Sequence, residues 1–339
     1  MSLYACRVCG AGKSQKAYAA KEMMFGLGAE FIYDECGACG SLQIRDIPSD
    51  EQIKQFYPDT YYSYRMHPVA DDDSGKHEKP LGLRAQFKRM RAAALFARER
   101  AQFDHNRLGA FLSLIRPNKP NSLFSMVASA GVGLHDAILD VGCGNGAILD
   151  YFSQVGFLNL AGIDPFIKAS ATTSHGVPLY KSNIQDFSGA YDLIMFNHSL
   201  EHVASPLADL SSARKLLSPN GVCLIRIPTI SSDAWDAYGT NWVQLDAPRH
   251  FTLISRRGME QLAQRCGFRI ADTIDDEEGW TMMSSELYAR AIPLVEHDYR
   301  KYFRDNEIAA FERRAAAHNA AKRGDQAGFI LRKAEPAPG

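Results

Sequence analysis

Three groups of residues in this chain have the types and spacing to do chemistry. The first is Ala137-Ile-Leu-Asp140-Val-Gly142-Cys-Gly144-Asn-Gly146, an apolar run that ends in an acid and is followed by alternating glycines. A buried parallel strand that stops at a ligand has this form. The glycines allow a tight turn and a close approach of ligand to backbone. Asp140 falls at the carboxyl end of the strand, where open α/β sheets bind their ligands. The spacing is G-x-G-x-G, unlike the G-x-G-x-x-G of pyrophosphate-binding turns. With an acid two residues before the first glycine, it suits a ligand without phosphates that carries an ammonium and hydroxyls.

The second group is Cys6-Arg-Val-Cys9-Gly10 and Cys36-Gly-Ala-Cys39-Gly40. Each C-x-x-C-Gly is a knuckle that aims two thiolates at one point, and two knuckles complete a tetrahedral Cys₄ site for zinc. The intervening residues exceed the common ribbon spacing and are expected to hold a hairpin, around Lys21–Phe25 and Phe31–Asp34. The third group is Asn197-His198-Ser-Leu-Glu201-His202, which follows the apolar run Tyr191-Asp-Leu-Ile-Met-Phe196. A helical turn would put His198, Glu201 and His202 on one face. Such a face offers a histidine general base, a divalent-metal site, or a turn shaped to orient a ligand. His250, in a later loop with Asp246 and Arg249, is a second base candidate, since loops at strand ends often carry function. Arg249 could hold a carboxylate or phosphate bidentately. Trp235, Tyr238 and Trp242 either stack on a sugar ring or base, or pack the loop.

The elements that must position these residues alternate. Strands are expected over 137–143, 159–164, 177–182, 191–197 and 222–228, with helices over 146–155, 205–217 and 255–266. This pattern predicts an α/β, Rossmann-like, doubly wound and mostly parallel sheet. A strand resumes at 267–270, residues 279–325 form a mostly helical insert, and 327–333 reads as the final strand. Upstream, Ser49 caps a short helix that ends in an aromatic cluster (Tyr57, Tyr61, Tyr62, Tyr64), which either lines a groove or packs between domains. Residues 67–82 read as a linker. Leu83 to about Ile115 is a basic helical stretch, and a short helix falls near 122–130. The expected organisation is a zinc ribbon over 1–45, a helical linker and cap over 46–130, and a cofactor-binding domain over 131–339. Asp164 ends the second strand, where an acid can accept two hydrogen bonds from a ribose diol.

Residues 137–228 resemble the class I S-adenosylmethionine methyltransferase core of the Methyltransf_23 type. The resemblance rests on the glycine motif, Asp164 and Leu200-Glu201-His202-Val203. It implies that Asp140, Gly142, Gly144, Gly146 and Asp164 bind the cofactor. Asn183 and Ile184, with Asp186 a weaker candidate, would meet its adenine. Asn197 to His202 would border its methyl group. Ubiquinone-pathway O-methyltransferases are similar at the last site, but His198 stands where they carry an acid, which disfavours a hard cation such as magnesium. The cysteine knuckles, the Pro-Ser-Asp-Glu helix and Leu245-Asp-Ala-Pro-Arg249-His250-Phe also resemble methyltransferases of surface-polysaccharide and sugar-modification pathways. The implied reaction is methyl transfer to a sugar-type small molecule, first by O-methylation with a histidine base. C-methylation of a keto-sugar, or methylation of RNA with the ribbon as binding module, are the alternatives.

Composition narrows the field. Charged residues at 23% and hydrophobic ones at 46% are ordinary for a globular protein, and a formal net charge of −1 gives no general attraction to nucleic acid or anionic membrane. No stretch has the unbroken apolar length of a membrane span. The opening Met-Ser-Leu-Tyr-Ala-Cys-Arg lacks a signal peptide's apolar region, so cytoplasmic residence is the expectation. A reducing compartment favours metal over disulfide for the paired cysteines; Cys143, Cys223 and Cys266 read as small core residues.

Overall fold

The structure is a computed structural model that describes residues 4–57, 96, 99–100, 102–103 and 121–335. The linker expected over 67–82, Tyr61, Tyr62 and Tyr64, and nearly all of the basic stretch lie outside the described residues. The strands are β1 Ser14–Lys21, β2 Glu30–Cys36, β3 Leu42–Ile44, β4 Ala137–Val141, β5 Asn159–Ile163, β6 Ala171–Thr172, β7 Pro178–Tyr180, β8 Tyr191–Asn197, β9 Leu217–Pro228, β10 Thr252–Leu253, β11 Phe268–Asp275 and β12 Gln326–Lys333. The helices are α1 Asp50–Lys54, α2 Ser122–Ser129, α3 Ala147–Val155, α4 Pro206–Leu216, α5 Asp233–Tyr238, α6 Arg256–Arg265, α7 Gly279–Ala289, α8 Tyr299–Tyr302 and α9 Asp305–Ala320. The chain divides into two compact units, Met1–Pro58 with Phe196–Gly339, and Asp59–Met195.

The Asp59–Met195 unit holds the glycine turn. Strand β4 pairs in parallel with β5 on one side and with β8 on the other, and β5 pairs in parallel with β7. A strand with neighbours on both sides must be apolar throughout, and Ile138, Leu139, Asp140 and Val141 are all buried. Helix α3 starts at Gly146 and stops at Gly156, both left-handed, a conformation that costs other residues about 1–2 kcal/mol.

In the other unit, β12 runs antiparallel to both β9 and β11. Within the Asp59–Met195 unit the strands run in the order β8-β4-β5-β7-β6, and within the other unit in the order β11-β12-β9. The fold is mixed and Rossmann-like: its parallel pairs are those around β4 and β5, while β6, β11 and β12 pair antiparallel. The largest boundary shifts are in β9 and β11. Strand β9 begins at Leu217 rather than near 222, and β11 runs on to Asp275. Between β11 and β12, α7 and α9 pack through Met283, Leu287 and Phe311, with Phe303 in the same cluster.

A second, four-stranded sheet has the order β1-β2-β3-β10. The expected hairpin exists, but its first strand lies earlier in the chain. Strands β1 and β2 pair from Ser14↔Cys36 to Lys21↔Glu30. The fourth strand comes from far down the chain, Thr252 and Leu253 pairing with Gln43 and Leu42. Its core includes Tyr33, Leu42, Ile44, Trp242 and Leu253. The α1 helix that follows is set by a capping box between Ser49 and Gln52.

Candidate functional site

The four cysteines converge. Gly10 and Gly40 adopt φ of 81° and 75°, and their amides close each knuckle onto the carbonyls of Cys6 (2.8 Å) and Cys36 (2.9 Å). The Cys6 and Cys39 sulfurs are 3.7 Å apart, and those of Cys9 and Cys36 are 3.5 Å apart. None is in a disulfide. All four sulfurs lie within 4.8 Å of one another, and the edge of a zinc–thiolate tetrahedron is about 3.8 Å. The donor set and its spacing therefore fit a zinc ion.

The glycine turn is built around Asp164. Its carboxylate accepts from Gly144 N (3.0 Å) and from Phe166 N (2.7 Å). Those two amides fix the side chain while leaving lone pairs for a diol. Gly142, Gly144 and Gly146 all have positive φ, and a Cβ on Gly146 would meet Leu179 at 2.8 Å. Asp140 is buried at the end of β4. Burial, and after it the charge of Asp164, pushes its pKa up to about 7. Ile184 is buried and opens a short 3₁₀ turn, while Asn183, just before it, is exposed.

The histidine group departs from the expected helical face. His198 has φ 52° and precedes a 3₁₀ turn, Leu200–His202. Its Nε2 accepts from Arg226 Nη1 (2.9 Å), so Nδ1 carries the proton and faces Glu201 Oε1 at 3.5 Å. Arg226 also donates to Asn197 Oδ1 (3.2 Å). His202 and His250 stand ring against ring, with centroids 4.7 Å apart. Each points Nδ1 at a backbone carbonyl, His202 at Arg249 O (2.8 Å) and His250 at Gln244 O (2.7 Å). A carbonyl only accepts, so both rings hold their proton on Nδ1 and present a bare Nε2. Glu201 is fully buried, and among the described residues neither carboxylate oxygen has a hydrogen-bond partner. Burial favours its protonation, but the His198 Nδ1–H and the charge of His202 and His250 when those rings are protonated outweigh this and bring its pKa down to about 2. Burial, and after it the neighbouring His250, lowers the pKa of His202.

These geometries can be set beside known proteins. The Methyltransf_23 model, a methyltransferase domain, matches residues 94–273, more than half of the chain. The chain belongs to this family. A trans-aconitate 2-methyltransferase of Acidovorax sp. (strain JS42) is 31% identical over 97 residues, 27% of this chain and 38% of that protein. A ubiquinone biosynthesis O-methyltransferase of Cereibacter sphaeroides is 29% identical over 124 residues, 33% of this chain and 50% of that protein. The chain thus spans half the length or less of these curated relatives. Among solved structures, the 1,6-didemethyltoxoflavin-N1-methyltransferase of Burkholderia thailandensis is similar at 14% identity and TM-score 0.38, over 76% of this chain and 94% of that one. A methyltransferase from Mesorhizobium loti is similar at 15% identity and TM-score 0.41, over 63% of this chain and 98% of that one.

Within this methyltransferase domain, the carboxylate and histidines that converge are Glu201, His202 and His250, whose ligand atoms lie within 4.8 Å of one another. His198 is drawn toward Arg226 instead, because the left-handed backbone at 198 breaks the i, i+3, i+4 stacking. Arg249 does not await an anion. It is fully buried, with Asp246 on Nε and Nη2, Glu22 on Nη2 at 2.9 Å and Phe56 O on Nη1 at 3.2 Å. Trp242 is core, its Nε1 donating to Asp325 (2.9 Å), and it meets Trp235 edge-on. Tyr57 reaches His202 Nδ1 at 3.3 Å. Glu22, Tyr33 and Arg226 carried no signal in the sequence, since none lies in a motif or near its partner in the chain.

Proposed function

We propose that this chain transfers the methyl group of S-adenosylmethionine to a hydroxyl of a sugar-type small molecule, with His202 as general base. The observation behind this reading is the His202 ring, fixed through Nδ1 on the Arg249 carbonyl and bare at Nε2. Its pKa is lowered by burial, which favours the unprotonated ring that a general base requires. A sugar hydroxyl is a poor nucleophile and gains from losing its proton as it attacks. Glu201, buried and ionised beside the ring, would stabilise the imidazolium that results. Asp164 would hold the ribose diol and Asp140 the ammonium of the cofactor, with Gly142, Gly144 and Gly146 leaving room for it and Asn183, Ile184 and Asn197 completing its contacts. The cofactor, when bound, supplies a methyl group that is already electrophilic. The four cysteines would hold one structural zinc, within a ribbon over 1–45, a cap over 46–130 and a cofactor domain over 131–339, in a reducing cytoplasm.

A second reading is favoured by the convergence of Glu201, His202 and His250: a divalent metal that binds the acceptor oxygens, in which case His202 is a ligand and not a base. One experiment separates the two. The protein and S-adenosylmethionine are incubated with a panel of nucleotide sugars, and mass spectrometry seeks a product one methylene heavier. Product that survives a chelator too weak to strip the cysteine centre, and that is lost in His202→Ala, supports the base. Activity lost to that chelator and restored by a divalent ion favours the metal. No methylated sugar with any member of the panel would overturn the acceptor class.

A further inference from the structure

We infer that Glu22, just after β1, and Tyr33, in β2, are positioning residues for the His202/His250 pair; this rests on the reading of those histidines as the proton-handling groups. The first link runs through Arg249. Glu22 is fully buried, and its carboxylate accepts from Phe25 N (3.0 Å), Leu27 N (3.0 Å) and Arg249 Nη2 (2.9 Å). Asp246 and the Phe56 carbonyl hold the rest of the guanidinium. The backbone carbonyl of the same Arg249 receives the Nδ1 proton of His202. The second link is shorter: the buried Tyr33 hydroxyl donates to the His250 carbonyl at 2.9 Å. Beyond these contacts, Thr252 and Leu253 pair with β3 as part of the same sheet, and Phe251 N donates to Glu201 O at 2.7 Å.

A buried ion pair is a weak source of stability, because apolar residues of similar volume often do as well. What it supplies is register: a shift of one residue along 249–253 would carry the Arg249 carbonyl away from His202. The proton on an imidazole goes to whichever nitrogen finds an acceptor. Glu22 therefore helps set the tautomer of His202 through Arg249, its partner 227 residues away in sequence, and Tyr33 holds the loop that carries His250.

The test is ¹H–¹⁵N correlation spectroscopy of the histidine rings in the full chain, wild type against Glu22→Gln, Glu22→Asp and Tyr33→Phe. The expected wild-type result is two rings protonated at Nδ1 with slowly exchanging protons. Glu22→Gln should cost His202 that slow proton and mix its tautomers, while Glu22→Asp, which keeps the charge, retains more of it. Tyr33→Phe, which removes one oxygen, should move the His250 signals and leave those of His202. Both rings unchanged in Glu22→Gln and Tyr33→Phe would overturn the inference; if Glu22→Gln does not fold, unchanged His250 signals in Tyr33→Phe overturn it alone. Calorimetric binding of S-adenosylmethionine, expected within twofold of wild type in every variant, reports on the cofactor reading separately.

Discussion

Asp140 is a residue whose charge depends on pH near neutrality. It is buried beside Asp164, and burial first, then that neighbouring carboxylate, raises its pKa to about 7. If it meets the ammonium of S-adenosylmethionine, binding needs the ionised form, and the ligand must drive off a proton wherever pH lies below about 7. Affinity should then be flat above that value and fall by up to about tenfold per pH unit beneath it. Calorimetry at pH 6 and pH 8 is expected to give roughly tenfold weaker binding at pH 6, and Asp140→Asn should bind weakly at both. An affinity indifferent to pH in the wild type would remove Asp140 from the ammonium site. Asp164→Ala should abolish binding without unfolding, and undiminished affinity would mean the diol sits elsewhere. Both acids were legible because each ends an apolar run. The role of His198 was not, since helical spacing in a sequence cannot reveal a left-handed φ. Nor could Glu22 or Tyr33 be read, because they act on partners 227 and 217 positions away.

The turn and strands around the glycine motif show what a local pattern can and cannot reveal. Strands β4, β5 and β8 and helix α3 follow from apolar runs and glycine stops that lie within each element. Strand β10 has two residues, too few for any period, so the sheet it completes was invisible beforehand. Orientation was hidden too: β11 and β12 were readable as strands, but only pairing shows them antiparallel. One glycine outside the motif proves as constrained as those within it. A Cβ on Gly162 in β5 would lie 2.6 Å from Cys143 Sγ and 2.7 Å from Leu149 Cδ1, so the strand and the motif turn share a contact surface. Gly162→Ala should destabilise the protein by about 1–3 kcal/mol, read as a lower urea midpoint with unchanged slope. A midpoint within error of wild type would mean the turn yields freely. In the cysteine-bearing sheet, removing one donor should act on the whole element. Cys36→Ser is expected to lower bound zinc from about one per chain to near none and to speed amide exchange across β1–β3; a metal-free wild type that is fully folded would sink the zinc proposal.

At the scale of the whole molecule, a formal net charge of −1 leaves little general charge repulsion to drive unfolding, so pH dependence should come from particular buried groups. One cluster of these lies just after the end of β11 and just before the start of β12. Asp325 is fully buried and Glu277 nearly so. Glu277 accepts from Asp325 N (3.1 Å) and faces His318 Nδ1 at 3.2 Å, while Trp242 Nε1 donates to Asp325. Burial raises both pKa values, Glu277 to about 7 and Asp325 to about 8, and after burial the Glu277 carboxylate raises that of Asp325 further. An acid with a higher pKa in the folded chain binds its proton more tightly there than in the unfolded chain, where the value is ~4. Its favourable contribution is complete below that unfolded value and is lost as pH rises through the folded one. Stability should therefore decline between about pH 4 and pH 8 as the pair ionises. Asp325→Asn keeps an oxygen for the Trp242 N–H but never ionises. It is expected to raise the thermal midpoint at pH 8, leave it nearly unchanged at pH 5, and flatten the slope between. Thermal unfolding followed from pH 5 to pH 8.5 in both proteins decides the matter, and parallel curves would mean that Asp325 is already charged, or already protonated, across the whole range.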